Sequence, residues 1–260
     1  MDAVKPASHR IRTVAETLLP GELPLFAIEQ WQSRFPWLFH ATTGAGSPDE
    51  PFDLSFFGST RAGTVMEHWR DIRSATGFDR IVHARQVHEA TVLVHTNTEP
   101  GINIRDDADG HVTTVRGVLL AVSVADCVPV FIVDAKARAI ALLHAGWRGC
   151  AAGILEDGLR TLQRVTYVGL NDVHVHFGPS ICGDCYQVGP EVFQAMKLPV
   201  PATSTPLDLR AALADRARSA GVPADNISIS RHCTRCGEGF FSHRRGHRER
   251  QMALLGLRLP

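Results

Sequence analysis

The sequence predicts a single α+β domain whose core is built from buried strands. Three observations favour this class. Apolar, β-rich runs follow one another at 117–124, 128–133 and 139–144, and only short connections separate them. Segment 149–165 instead repeats apolar residues near one helical face. The 260 residues contain no internal repeat and no long segment without turns, so one continuous domain is favoured over two.

Local patterns before the central runs indicate an N-terminal segment and the beginning of the domain. We divide the chain into a peripheral segment, 1–36, and a domain, 37–260. The elements predicted in this part are a short helix at 12–19 ended by Pro20-Gly21, an amphipathic helix at 64–76 ended by Gly77, strands at 80–86 and 90–95, and a polar loop at 97–110.

The second half of the chain alternates strands and helices. The connection at 134–138 is short enough for a hairpin between two of the central strands. The further predicted elements are a helix at 149–165, a strand at 172–177 ending at Gly178-Pro179, helices at 190–197 and 207–220, a strand at 227–230, and a final helix or strand at 249–257.

Charge and hydropathy exclude several classes of protein. Lys plus Arg and Asp plus Glu both number 27, so no net field would draw the chain to nucleic acid or to a membrane surface. The longest apolar stretch, 118–133, is broken by Ser123, Asp126 and Pro129, which argues against a transmembrane helix. The N-terminus lacks the apolar region of a signal peptide, so we expect a cytoplasmic protein with reduced thiols.

Three side chains at the ends of β-like runs form a candidate metal site. His88, Cys127 and His144 each lie beside a turn, where a strand end holds a side chain and leaves one side open. Two imidazoles and one thiolate suit zinc, and three protein ligands leave a fourth position for water or substrate. The gaps of 39 and 17 residues match no short metal motif, so buried Cys and hydrogen-bonded His remain the alternative.

The segment after His144 offers a candidate anion site. Gly146 and Gly149 permit a tight turn, and the predicted helix would present backbone N–H groups near Arg148. An ordinary strand-to-helix turn with a packed Trp explains the same residues and is the preferred interpretation of the local pattern.

Two other sets of residues carry metal-like or anion-like patterns. Cys182-Gly-Asp-Cys185 and Cys233-Thr-Arg-Cys236 form a CxxC pair; we expect packed reduced thiols, with a structural zinc or a redox pair as alternatives. The basic stretch 242–250 is read as a solvated loop, or as an anion site through Arg244 or Arg245. His174-Val-His176 is a single His-x-His pair, too few for the four-copper chemistry of a true laccase.

Five motifs, in one order, give the chain a specific resemblance. They are Gln86-Val-His88, Ala125-Asp-Cys-Val-Pro129, His144-Ala-Gly-Trp-Arg-Gly149, Gly178-Pro-Ser-Ile181 with Tyr186-Gln-Val-Gly189, and Phe241-Ser-His-Arg-Arg245. Together they resemble the YfiH/laccase-domain family, over about residues 38 to 258. Its members were once called multicopper polyphenol oxidases, are now mainly regarded as zinc-dependent purine nucleoside phosphorylases, and have also been called peptidoglycan editing factors.

The resemblance implies a fold, a metal site and an activity. The fold would be a layered α-β-β-α domain, related to the catalytic domain of cytotoxic necrotizing factor. One zinc, with copper as a substitute, would bind His88, Cys127 and His144. The expected substrates are adenosine, inosine, guanosine or methylthioadenosine with phosphate, and adenosine deamination is also implied. Asp53 and the ending Gly246-His-Arg-Glu-Arg250 depart from the usual family residues.

Within that reading, we predict roles for four further residues. Arg148 and Arg244 would hold phosphate, Gln86 would contact substrate, and Asp126 would transfer a proton or support the Cys ligand. Neither nucleic acid nor a membrane is an expected partner, and the sequence does not set the oligomeric state. A copper-dependent polyphenol oxidase and a metal-binding module in peptidoglycan quality control are the competing hypotheses.

Overall fold

The computed structural model describes residues 11–260 and contains two stacked β-sheets covered by helices. The strands in chain order are β1 Arg12–Val14, β2 Thr17–Leu18, β3 Leu25–Ala27, β4 Leu38–Thr43, β5 Arg80–Ala84, β6 Val92–His95, β7 Gly101–Arg105, β8 Gly110–Thr113, β9 Val118–Val124, β10 Val128–Asp134, β11 Ala139–Ala145, β12 Val173–Phe177, β13 Gln187–Val188, β14 Thr205–Pro206, β15 Ile227–Ser230 and β16 Gln251–Leu257. The helices are α1 Glu29–Arg34, α2 Ala62–Thr76, α3 Trp147–Ala152, α4 Ile154–Thr166, α5 Pro190–Ala195 and α6 Leu209–Ser219.

Both large sheets have seven strands and mix parallel with antiparallel pairs. The first has the order β1-β15-β12-β10-β11-β8-β6, and the second has the order β2-β3-β4-β16-β9-β5-β7. A small separate two-stranded antiparallel sheet pairs β13 with β14. Strands β9 and β10 are consecutive but belong to different sheets, so the short turn between them crosses from one layer to the other.

The central strands are apolar throughout because both of their faces are buried. In β11, Ala141 and Leu143 face the helices α3 to α6, whereas Ile140 and Leu142 face the second sheet. The second sheet buries its outer face against α2, which presents Val65, Trp69 and Ile72. Two-sided burial removes the polar alternation of a half-exposed strand. The α+β class and the layered order helix, sheet, sheet, helix are therefore confirmed.

Several predicted elements differ from those observed. Segment 12–19 forms strands rather than a helix, because β1 pairs with β15 and β2 with β3. The polar loop at 97–110 contains β7, which pairs with β5. The helix expected at 149–165 is divided at Gly153, whose φ of 97° is left-handed and ends α3. The final segment is a strand, β16, at the centre of the second sheet.

The N-terminal segment contributes to the core. Its residues 1–10 lie outside the described residues, but 11–36 add strands to both sheets and bury Trp31 and Phe35 between them. This part of the predicted peripheral segment therefore belongs to the fold, because its apolar side chains pack in the cluster between the sheets. Helix α2 ends at Gly77 as predicted, with φ of 74°.

In the described part of the chain, no helix combines the length and the apolar character needed to cross a bilayer.

Candidate metal centre

His88, Cys127 and His144 come together at the ends of three structural elements. His88 lies in the loop after β5, Cys127 in the turn between β9 and β10, and His144 near the end of β11. One ligand atom from each residue falls within 4.8 Å of the others. His144 is buried, Cys127 is half-buried and His88 is exposed, so the cluster is open on one side. Three protein donors with an open side fit a metal that keeps a position for water or substrate.

A buried carboxylate orients two of the three donors. Asp109 accepts the backbone N–H groups of Val87, His88 and Glu89 at 2.9 to 3.1 Å. It also lies 2.7 Å from Nδ1 of His144, so the proton sits on Nδ1 and Nε2 is left for a metal. The three N–H bonds hold His88 in a left-handed conformation, with φ of 62°, that a non-glycine residue rarely adopts.

The turn that carries Cys127 is fixed by its neighbour. Asp126 has a φ of 84°, and its carboxylate accepts hydrogen bonds from Thr234 Oγ1 at 2.6 Å and from the backbone N of Arg244 at 2.8 Å. Its carbonyl accepts the N–H of Ile181. Both carboxylate oxygens are thus engaged by loops near the C-terminus, and the bonds compensate the strained backbone beside the thiol.

The environment of the donors favours the charged forms of Cys127 and His144, a thiolate beside an imidazolium. Desolvation opposes ionisation of Cys127, but the charge and hydrogen bond of His144, together with His88, lower its pKa to about 6. Desolvation also opposes protonation of His144, yet the Cys127 thiolate and Asp109 raise its pKa to about 9. A divalent cation would replace the imidazolium proton as the partner of the thiolate. The donor set therefore fits zinc or copper.

Gly146 lets the donors approach one another. A Cβ atom at this position would lie 3.0 Å from Sγ of Cys127 and 3.1 Å from Cδ2 of His88. Any side chain larger than hydrogen would therefore press on two donors.

A cavity of about 370 Å³ opens beside the donors. Its lining residues are Ser55, Phe57, His83, Ala84, Gln86, His88, Ser123, Ala125, Cys127, His144, His243, Arg248 and Arg250. A volume in this range is typical of small-molecule sites. Three basic side chains, His243, Arg248 and Arg250, form the wall contributed by the C-terminal loop, so the cavity combines metal donors with an electropositive side.

The other predicted site residues occupy different positions. Gln86 lines the cavity, but its amide bonds the backbone of Ser123 at both ends. Asp126, Arg148 and Arg244 are not among the cavity-lining residues. Arg148 stacks on Trp147 at 4.3 Å, and Arg244 stacks on Tyr186 at 4.9 Å while donating to the carbonyl of Gln187.

Most of the chain matches one protein family. Residues 39–258 match the family model described as multi-copper polyphenol oxidoreductase laccase. The chain belongs to this laccase-domain family. The resemblance predicted from the five sequence motifs is therefore confirmed.

Relatives in the laccase-domain family carry two kinds of enzyme name. Purine nucleoside phosphorylase YlmD of Geobacillus stearothermophilus is 36% identical over 200 residues, which cover 69% of this chain and 73% of that protein. A purine nucleoside phosphorylase of Deinococcus radiodurans is 35% identical over 74% of this chain and 77% of its own length. Adenosine deaminase RL5, from an unknown prokaryotic organism, is 37% identical over 64% of this chain and 70% of its length.

Solved structures of laccase-domain proteins have the same fold. YlmD of Geobacillus stearothermophilus superposes with a TM-score of 0.85 at 27% identity, covering 94% of this chain and all of that one. The hypothetical protein YfiH of Bacillus licheniformis superposes with a TM-score of 0.82 at 23% identity, covering 91% of this chain and 97% of that one.

Sequence reasoning missed several residues of this laccase-domain site. Asp109 has a recognisable signal, because this carboxylate lies at the end of the predicted polar loop and directly precedes a buried strand. Arg248 and Arg250 lie in an irregular basic stretch, where the sequence does not show which side chains face a cavity. His83 and Phe57 carry no motif, and their place in the lining emerges only from the packing of the two sheets.

Proposed function

We propose that the chain is a zinc-dependent purine nucleoside phosphorylase that acts on adenosine, inosine, guanosine or methylthioadenosine. The proposal depends on one observation: the His88, Cys127 and His144 donors share a cavity with a wall of basic side chains. Bound there, zinc would supply Lewis-acid polarisation of a substrate atom. The names of the relatives favour a purine nucleoside as that substrate.

Arg248 and Arg250 are suited to hold phosphate. The Arg248 side chain is exposed and makes no hydrogen bond or ion pair to any residue in 11–260, so its guanidinium is available to an anion. The Arg250 guanidinium donates to the carbonyls of His247 and Glu249 at 3.2 and 2.8 Å, which orients it. A planar guanidinium matches two phosphate oxygens at once.

His83 and Phe57 are suited to hold the nucleoside. Nδ1 of His83 lies 3.1 Å from the carbonyl of Ala121, so Nδ1 carries the hydrogen and Nε2 is an acceptor. Desolvation lowers the pKa of His83 to about 4, which keeps the ring neutral near pH 7. It therefore accepts a hydrogen bond from a base N–H or a ribose hydroxyl. Phe57 is 61% exposed on the cavity wall and offers a face for stacking by a purine.

These placements support a phosphorolysis of the nucleoside. A phosphate oxygen held by the arginines forms a bond to C1′ of the ribose while the bond from C1′ to N9 breaks. The electron pair passes to the purine, which takes up the proton that hydrogen phosphate gives up, and the products are free base and ribose 1-phosphate. The chain contributes mainly by orienting two reactants and by placing positive charge near an anionic nucleophile.

The test is a product assay on full-length, zinc-loaded protein with inosine. Hypoxanthine and ribose 1-phosphate should appear together, only with phosphate present, and a chelator should stop the reaction until zinc is restored. Equal release of base without phosphate would contradict the proposal and indicate a nucleosidase. Oxidation of phenols by copper-loaded protein, with no release of base, would instead favour a polyphenol oxidase.

Adenosine deamination is a second candidate activity of the same site. The open side of the donor cluster would admit water beside a purine, and the relative named adenosine deaminase RL5 is 37% identical. Adenosine without phosphate should then yield inosine and ammonia, measured by chromatography. Adenosine that stays unchanged under these conditions would exclude this second activity.

A further inference from the structure

The four remaining partly accessible cysteines converge on one point. The sulfur atoms of Cys182, Cys185, Cys233 and Cys236 all lie within 4.8 Å of one another. Sγ of Cys236 is 3.8 Å from that of Cys182 and 3.2 Å from that of Cys185. Four thiolates at about 2.3 Å from one zinc would have edges of about 3.8 Å. The cluster is therefore close to the size of a tetrahedral zinc shell.

Each CxxC segment forms a tight turn of the kind that presents two sulfurs to one side. The first is a single turn of 3₁₀ helix, in which Cys185 N donates to Cys182 O at 3.1 Å. The second is closed by Gly237, whose N–H reaches Cys233 O at 3.3 Å. The turns are held side by side by a bridge between Ser180 and Cys233.

Backbone N–H groups point at one of the sulfurs. Sγ of Cys233 accepts from the N–H of Cys182 at 3.2 Å and of Cys236 at 3.4 Å. Donors of this kind stabilise a thiolate, which is the form that binds a metal. A reduced, uncharged thiol gains little from two such donors.

We propose that these four cysteines bind a second, structural zinc ion, separate from the cavity. Four thiolates leave no open position, so this ion would hold the chain together rather than meet substrate. Three of the cysteines are half-buried and Cys236 is exposed, which gives the metal a route from solvent. The proposal departs from the sequence-based expectation of packed reduced thiols. The proposal does not depend on phosphorylase activity.

Contacts of Asp126 connect the four-cysteine site with the cavity. Thr234, between the second pair of cysteines, donates to Asp126 Oδ1, and its backbone N donates to Ser180 O at 3.1 Å. Tyr186, next to Cys185, stacks on Arg244, whose N–H binds the other oxygen of Asp126. The four-cysteine site would therefore fix the loops that hold the turn carrying Cys127.

Metal analysis of the full-length protein, purified after expression with added zinc, tests this inference. Wild type should contain about two zinc ions per chain, and Cys185→Ser or Cys236→Ser should lower this to about one. Cys127→Ala should also lose one ion, but from the cavity. Cys150→Ala is the matched control, because Cys150 is buried outside both clusters and should leave two. A zinc content that stays the same as in wild type in both Cys185→Ser and Cys236→Ser would overturn the proposal.

A second measurement needs no variant and so does not depend on whether a variant folds. X-ray absorption at the zinc edge of wild type should give an average of two to three sulfur neighbours per zinc, since one site offers four thiolates and the other one. An average near one sulfur would overturn the proposal. So would peptide mapping after alkylation that finds a disulfide among the four cysteines. Neither readout uses activity, so failure of the phosphorylase proposal is distinguished from failure here.

Discussion

Asp109 lies 2.7 Å from Nδ1 of His144, and both side chains are buried. The same carboxylate accepts three consecutive backbone N–H groups from the loop that carries His88. Two metal donors on separate elements are thus aligned by one side chain. The bonds outweigh the desolvation of Asp109 and lower its pKa, so the carboxylate stays charged.

The first prediction concerns this carboxylate. Asp109→Asn should weaken zinc binding by about 10- to 100-fold, because an amide cannot accept all four bonds and fixes the His144 ring less firmly. Competition with a coloured chelator measures the affinity. Asp107→Asn is the control, since Asp107 only pairs with Arg85 on the surface and should leave binding unchanged. Equal affinity in both variants would contradict the role given to Asp109.

The second prediction concerns the donors themselves. His88→Ala, Cys127→Ala and His144→Ala should each remove the cavity metal, since two protein ligands bind zinc far more weakly than three. Total zinc by mass spectrometry, corrected for the four-cysteine site, reports the loss. His68→Ala is a suitable comparison because His68 lies outside the cluster, with Nδ1 bound to the carbonyl of Asp53. Full occupancy in all three variants would rule out the site.

The third prediction uses the space at Gly146. Gly146→Ala should lower zinc affinity by about tenfold or more, because the added methyl would lie 3.0 Å from Sγ of Cys127 and would displace it. The backbone φ of −77° suits alanine, so the effect is steric contact with the donors rather than backbone strain. Gly63→Ala, where nothing lies within 4 Å, should bind zinc normally and unfold at higher urea.

Much of the fold can be predicted from the sequence because the central strands are buried on both faces and are therefore apolar throughout. Apolar runs such as β9 and β10 can be recognised as strands without knowing which strands they pair with. Strand β1 is different: its partner is β15, more than two hundred residues away, so the local pattern at 12–19 misleads. Propensity alone does not capture pairing of that range.

Only part of the candidate site can be predicted from the sequence. The order of the motifs identifies His88, Cys127 and His144, but their spacing alone does not. These residues are far apart in the sequence and are brought together by the contacts of Asp109 and by the turn at Asp126. Those contacts join parts of the chain that no periodicity connects. For the four cysteines, the spacing in the sequence shows a metal-like pattern, but only the distances between the sulfur atoms indicate that they could bind one metal ion.

The fourth prediction concerns acid stability. Burial lowers the pKa of five histidines: to about 3 for His40, to about 4 for His83, His95 and His174, and well below the usual value for His111. The unfolded chain takes up these protons near pH 6.5, whereas the folded chain does not until about pH 4. The free energy of unfolding should therefore fall as pH drops through this window.

Each buried histidine should contribute a slope of about 1 kcal/mol per pH unit. Urea unfolding between about pH 7 and about pH 5 measures the total. His174→Gln removes one titrating group, whose ring packs edge-to-face against Phe35, so this variant should show a shallower pH dependence than wild type. Because both proteins carry the same metal sites, the difference in slope isolates the histidine. An identical slope would contradict the prediction.

The last prediction decides which arginines hold phosphate. The sequence predicts this role for Arg148, but Arg148 stacks on Trp147, in a helix of only six residues, and does not line the cavity. Arg248 does line the cavity, and its side chain has no partner among residues 11–260. Arg248→Ala should raise the phosphate KM about tenfold or more, because a charge-assisted contact is lost, with the zinc content unchanged. Arg148→Ala, matched in charge, should leave that KM nearly unchanged. A phosphate KM that rises in Arg148→Ala and stays unchanged in Arg248→Ala, measured by steady-state kinetics, would assign phosphate binding to Arg148 instead.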